Sequence, residues 1–288
     1  MLWLPLSLVA AFTLATTDAL TKRFFSELSP YEMAMLRLLY TLPWLIFSLF
    51  FIPLVIPRNG YFIAVASAVP LEICALYCYM KAIKASPLSI TLPFLAFTPA
   101  FIILTGRILL GEQLHFMGII GIALIVAGSY CLNISSVKEG LFSPIKAVFR
   151  EQGSWLMLLV SFIYSITSVL GKIGVINSNP YFFGSTYFIV LSLVMSALIP
   201  LSPGTSVKRL IQKPLKGIIL GAAYSIMIFS HMLAISQVEA AYMVSVKRLS
   251  LLIGIFYGAW WFREERTGER LFGAVIMLAG VFLIGFSS

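Results

Sequence analysis

Charge is what this 288-residue chain has least of: 11% of its residues are Asp, Glu, Lys or Arg, against 60% that are hydrophobic. A water-soluble domain of this length needs far more polar side chains to cover its surface, so that class is excluded. Histidine is limited to two residues and cysteine to three, Cys74, Cys78 and Cys131. The cysteines lie inside apolar runs, without metal-ligand spacing or a disulfide pattern, and read as small core residues. No Walker-type glycine loop is present, which leaves ATP-driven transport by this chain alone unsupported. So few histidines and acids give no nucleophile–base–acid set. The expectation is a protein that is no enzyme, with no metal and no cofactor.

What remains is long apolar runs. A helix rises 1.5 Å per residue, so about 20 apolar residues cross a hydrocarbon core of ~30 Å. Ten segments qualify: 2–21, 31–52, 60–80, 87–109, 114–133, 153–175, 181–201, 215–235, 240–262 and 268–286. The first lacks a basic leader and a small-residue cleavage site, and reads as a helix and not as a signal peptide. The expected fold class is an all-α integral membrane protein in a cell (plasma or inner) membrane. Aromatics gather toward the ends of the apolar runs, as at a membrane interface.

The ten segments repeat. Lys22, Pro30 and Tyr31 match Lys172, Pro180 and Tyr181 at an offset of 150. Met80, Ala82, Glu112, Gly121 and Gly128 match Met232, Ala234, Glu264, Gly273 and Gly280 at an offset of 152. The longest connection, 134–152, falls at the midpoint, so the expected domains are two five-helix repeats, 1–139 and 140–288. Five is odd, so the second repeat enters the membrane with opposite polarity. Inverted repeats of this kind place a site near the midplane, between the halves.

The net charge of +9 in a soluble protein would suggest nucleic acid. Here the basic residues lie mostly in short connections. Those after helices 1, 3, 5, 7 and 9 carry fourteen Lys and Arg, and the other face carries Arg58, Arg107 and Lys172. The positive-inside rule therefore puts both termini outside the cytoplasm. The expected partners are the lipid bilayer and a small-molecule substrate, with no nucleic acid. Ten helices suffice to enclose a pathway, so a monomer suffices; a homodimer is the alternative.

Four stretches resemble the drug/metabolite transporter superfamily, EamA type: SPYEMAMLR (29–37), YMKAIKASPLSITLPFLAFTPAF (79–101), LLGEQLHFMGIIGIALIVAGSY (109–130) and WWFREERTGERLFGAVIMLAGVFLIG (260–285). The resemblance covers essentially the whole chain, through small-residue and helix-end patterns that speak to fold better than to substrate. It implies a ten-helix inverted-repeat carrier that exports or exchanges metabolites. Many members keep both termini in the cytoplasm. The charge count of this chain points the other way, and we follow it.

Ionisable groups inside apolar segments are functional candidates, because their burial is costly. Lys247 and Arg248 sit in helix 9, where two adjacent cations repel and an anion between them relieves the strain. The pair resembles the phosphate-binding pair of the plastid phosphate translocators. The alternative is that both pair with protein acids or reach the interface. Glu72, in mid-helix 3, is a counter-ion or a proton-coupling group. Arg37 is a substrate ligand or a structural anchor. Asp18 has i,i+4 spacing to Lys22 for a local ion pair, with a coupling role as the alternative. His231 is a core residue or a proton relay. Tyr79, Tyr224 and Tyr242 are expected to supply hydrogen bonds and stacking. Pro87, Pro93 and Pro99 mark helix 4 as a bent, cavity-lining gate, or as a static kink.

Across the repeat, Lys247 and Arg248 correspond to Leu95 and Ala96, Glu72 to Tyr224, Arg37 to Tyr187 and His231 to Tyr79. The scaffold is symmetric and the charges are not, which suits an asymmetric solute. The sequence thus points to a secondary transporter, exporter or exchanger, of a small polar metabolite with a carboxylate or phosphate. The alternatives are an exporter of amino acids or of neutral or cationic metabolites, a lipid flippase or scramblase, and a membrane-embedded sensor.

Overall fold

The computed structural model describes residues 2–53, 55–86, 91–131, 152–201, 205, 207–262 and 270–287. These residues are helical, without strands. The helices are α1 (Trp3–Phe25), α2 (Pro30–Leu49), α3 (Asn59–Ala85), α4 (Phe97–Leu110, entered through a 3-10 turn, Leu92–Ala96), α5 (Phe116–Cys131), α6 (Gln152–Ile176), α7 (Pro180–Ala197), α8 (Pro214–Ile235), α9 (Ala240–Lys247 and Ser250–Phe262) and α10 (Arg270–Ser287). Among the described residues, seven helical spans are long and apolar enough to cross a membrane, and three apolar helices are shorter. Large apolar side chains such as Phe50, Phe272 and Phe286 face outward, where lipid takes the place of water.

The repeated residues have local reasons. Ser29 caps α2, with Pro30 at its first position and a reciprocal Ser29–Glu32 capping box. Asn179 caps α7 through Oδ1, with Pro180 in the same place. Proline is tolerated there because the first amide of a helix has no partner to lose.

The glycines of the repeat form the crossing of α5 and α10. A Cβ on Gly121 would meet the Gly280 carbonyl at 2.7 Å, and one on Gly128 would meet the Gly273 carbonyl at the same distance. Pairing 121 with 280 and 128 with 273 means that the two helices run antiparallel. Their backbones touch because only glycine lies between them.

Other contacts obey the same two-fold exchange. Helix α3 packs on α6 as α8 packs on α1, and α4 packs on α6 as α9 packs on α1. Pairs α2–α7 and α4–α9 lie across the axis itself. The architecture is that of two inverted five-helix repeats.

Helix 9 is not the continuous helix that segment 240–262 suggests. The amides of Leu249, Leu251 and Leu252 bond to the carbonyls of Val246, Arg248 and Leu249, three residues back, so the chain tightens at Arg248 and Leu249. The equivalent stretch of helix 4 is the 3-10 turn Leu92–Ala96. Both helices across the axis are therefore interrupted at matching places. Pro93 lies in that turn and Pro99 in the first turn of α4, so these prolines shape the entry of the helix and do not kink its interior. Pro87 lies outside the described residues.

Candidate functional site

The two-fold axis passes through a cavity of about 90 Å³. Five repeat-equivalent pairs line it: Arg37 and Tyr187, Glu72 and Tyr224, Tyr79 and His231, Leu95 and Lys247, Leu14 and Tyr164. Helices α2, α3, α6, α7, α8 and α9 thus each bring a polar side chain to one place from mid-helix positions.

Lys247 Nζ lies 2.9 Å from His231 Nδ1. With Lys247 as the ammonium, Nζ donates and His231 Nδ1 accepts, which puts the imidazole proton on Nε2. Arg248 crosses from one interrupted helix to the other, donating from Nη2 to Thr98 Oγ1 at 2.7 Å. Glu72 hydrogen-bonds with Thr167 and lies within the electrostatic reach of Lys247. Among the described residues no carboxylate comes within 4.0 Å of Lys247 or Arg248.

Asp18 does not pair with Lys22. It binds Arg37 instead, with Nη2 to Oδ1 at 2.8 Å, and its Oδ2 accepts the Tyr79 hydroxyl at 2.6 Å. Lys22 turns to the Ser86 carbonyl at 3.0 Å. The i,i+4 spacing is a helix-surface rule, and the bundle interior overrides it: an arginine buried to 2% exposure needs an acid more than a lysine at a helix end does. Arg37 also donates to Thr21 Oγ1 and lies between the Tyr79 and Tyr224 rings, 5.8 and 5.3 Å from their centroids.

Tyr242 stands apart from the cavity. Its hydroxyl accepts the His115 amide at 2.9 Å and its ring packs on Gly118. It belongs to a second cluster, on the face where both termini lie. There Lys172 Nζ donates to Glu112 Oε1 at 2.6 Å and to the Val238 carbonyl at 2.7 Å. Both Glu112 oxygens receive the Ala240 amide, capping α9. Gly111, left-handed at φ 68°, ends α4 and turns Glu112 into this position. Lys172–Val238 and Lys22–Ser86 are equivalent bonds in the two repeats, one on each face of the bundle.

Tyr164, Thr167, Phe183, Tyr187 and Phe188 also line the cavity, and the sequence did not single them out. Hydroxyl and aromatic residues are ordinary in apolar helices and carry no signal of their own. The repeat could have found two of them, since Tyr187 occupies the position of Arg37 and Tyr164 that of Leu14.

A cavity on the axis of two inverted repeats, lined by buried ionisable groups, is the arrangement in which membrane transporters place their site. The chain belongs to the EamA-like transporter family, whose profile matches residues 1–134 and 152–286, and with it to the drug/metabolite transporters. One solved crystal structure is similar over 99% of this chain and 95% of its own, with a TM-score of 0.71 and 12% identity, a likeness of fold alone. No curated protein matches the sequence.

Proposed function

We propose that the protein is a secondary carrier of a small polar metabolite bearing a carboxylate or phosphate, exported or exchanged by alternating access. The observation that supports this most is Arg248. It lines the cavity at 2% exposure, and a threonine hydroxyl, not an acid, is its polar partner among the described residues. A buried guanidinium without a counter-ion is costly, and an anionic group brought by the solute relieves that cost. Lys247 stands next to it, and Glu72 balances or couples the charge.

In this reading the two halves rock about the cavity, hinging at the interrupted α4 and α9. The Lys172–Glu112–Val238 cluster holds the face that carries the termini closed. That face is the outer one, following the basic residues that crowd the opposite face.

The test is thermal stabilisation of the purified protein in detergent by phosphates, carboxylates, amino acids and amines, since a ligand of the folded form raises Tm by mass action. Organic anions are expected to stabilise, and Arg248→Ala and Lys247→Ala to abolish the response while the protein stays folded. Stabilisation by amino acids or amines alone would make Glu72 the main ligand and the basic pair structural.

A further inference from the structure

Four buried side-chain polar atoms among the described residues have no hydrogen-bond partner: Arg37 Nε, Tyr40 Oη, Tyr187 Oη and Arg248 Nε. Tyr40 sits at the crossing of α2 and α8, against Gly217 and Gly221. The other three residues all line the central cavity, at 2%, 5% and 2% exposure for Arg37, Tyr187 and Arg248. Buried donors are normally satisfied, so three of them around one cavity describe the ligand by its complement. Two are N–H groups that can only donate, and the third is a phenol that can donate.

The charges set a second limit. Arg37, Lys247 and Arg248 face two carboxylates, Glu72 in the cavity wall and Asp18 behind Arg37 and Tyr79. With both carboxylates ionised and His231 neutral, one positive charge is left over. One anionic group neutralises it. A second would be buried without compensation among side chains that are themselves buried, which is costly.

We infer that the substrate is a compact monocarboxylate carrying at least one hydroxyl or oxo oxygen. Its carboxylate takes Arg248 and Lys247, and its neutral oxygens accept from Arg37 Nε and Tyr187 Oη. The inference rests on the reading of Arg248 and Lys247 as the anion site. Arg37 and Tyr187 occupy the same position in the two repeats. They therefore approach the axis from opposite sides, and both act as specificity determinants. Simple dianions and plain alkanoates are excluded for different reasons: the first by charge, the second because two buried donors stay unpaired.

The test titrates lactate, pyruvate and glycerate against propionate, malonate and inorganic phosphate on the full chain in detergent, at a mildly alkaline pH where phosphate is a dianion, reading apparent affinity from the rise in Tm. The expected result is that glycerate binds at least about 10-fold more tightly than propionate, as one or two well-made hydrogen bonds provide. Malonate and phosphate should bind more weakly than either. Tyr187→Phe should bring the glycerate-to-propionate ratio toward one while keeping propionate binding. Arg37→Lys, which keeps a cation for Asp18 but has no Nε–H, should lower the same ratio. Because the ratio is taken within each variant, a loss of stability cancels, and Tyr187→Phe carries the test if Arg37→Lys does not fold.

Equal binding of glycerate and propionate would overturn the inference, as would tighter binding of malonate or phosphate, or a ratio unmoved by Tyr187→Phe. If those anions still bind and Arg248→Ala removes them, the anion-carrier reading survives the loss. If none of the six anions binds, both fall together.

Discussion

The first half supplies Arg37, Glu72 and Asp18 to the centre of the protein, where the second half has Tyr187, Tyr224 and Ser168 at the equivalent positions. In helix 9 the imbalance reverses, with Lys247 and Arg248 where helix 4 has Leu95 and Ala96. The backbone plan is the same on both sides, down to the proline-started second helix and the interrupted fourth. What differs is the ionisable chemistry. Groups that the fold requires, such as the glycines of α5 and α10, recur in both halves. The ionisable groups that line the cavity, Arg37, Glu72, His231, Lys247 and Arg248, each occur in one half only.

The comparison is open to breaking first at Asp18. Asp18→Ala strands the Arg37 guanidinium in the bundle and should cost ~3–5 kcal/mol in a denaturation series. Ser168→Ala, the equivalent change, should cost under about 1 kcal/mol. Equal losses at the two positions would mean that the Asp18–Arg37 pair contributes no more to the fold than its uncharged counterpart does.

Gly128→Ala and Gly280→Ala test the symmetric part. Each places a methyl against a carbonyl, at 2.7 Å from Gly273 and 2.5 Å from Gly121, and should destabilise by about 1–3 kcal/mol. The two losses should agree, and a clear disagreement would break the two-fold relation of α5 and α10.

The two faces of the bundle give a third comparison. Lys172→Met removes the bonds to Glu112 and Val238, for a loss of about 1.5 kcal/mol, the size of one hydrogen bond to a charged group. Thiol labelling of Gln237→Cys, beside the cluster, should quicken in this variant as the face opens. Unchanged labelling would make the cluster a static strut.

The smallest effect lies in the loop after α1, where Lys213 pairs with Glu27 in the open. Partial burial raises the Glu27 carboxyl, but the Lys213 hydrogen bond and charge outweigh it and hold the group below the usual glutamate range. A depressed carboxylate stabilises at pH above its unfolded value and stops doing so as pH falls through its folded one. Acidification below the ordinary glutamate range should therefore cost slightly more Tm in the parent than in Glu27→Gln. The half-exposed pair limits the difference to a few tenths of a kcal/mol, vanishing at high salt.

The sequence by itself determined the class of solvent, the ten apolar segments, the repeat and its inversion. Each follows from composition, from length against bilayer thickness, or from an odd helix count, and none needs a third dimension. It also isolated Lys247, Arg248, Glu72, Arg37 and His231, because a charge in an apolar run is costly and so conspicuous. It misassigned Asp18 to Lys22, because spacing along one helix says nothing about an arginine arriving from another. It grouped Tyr242 with the cavity and missed Tyr164, Thr167 and Tyr187, since hydroxyls and rings pass unnoticed among apolar residues. Only the tertiary structure decided which of these polar atoms meet, and which donors on cavity-lining residues were left without a partner. Hydrogen bonding is a matter of a few ångströms and an angle, and packing across the two-fold axis sets both.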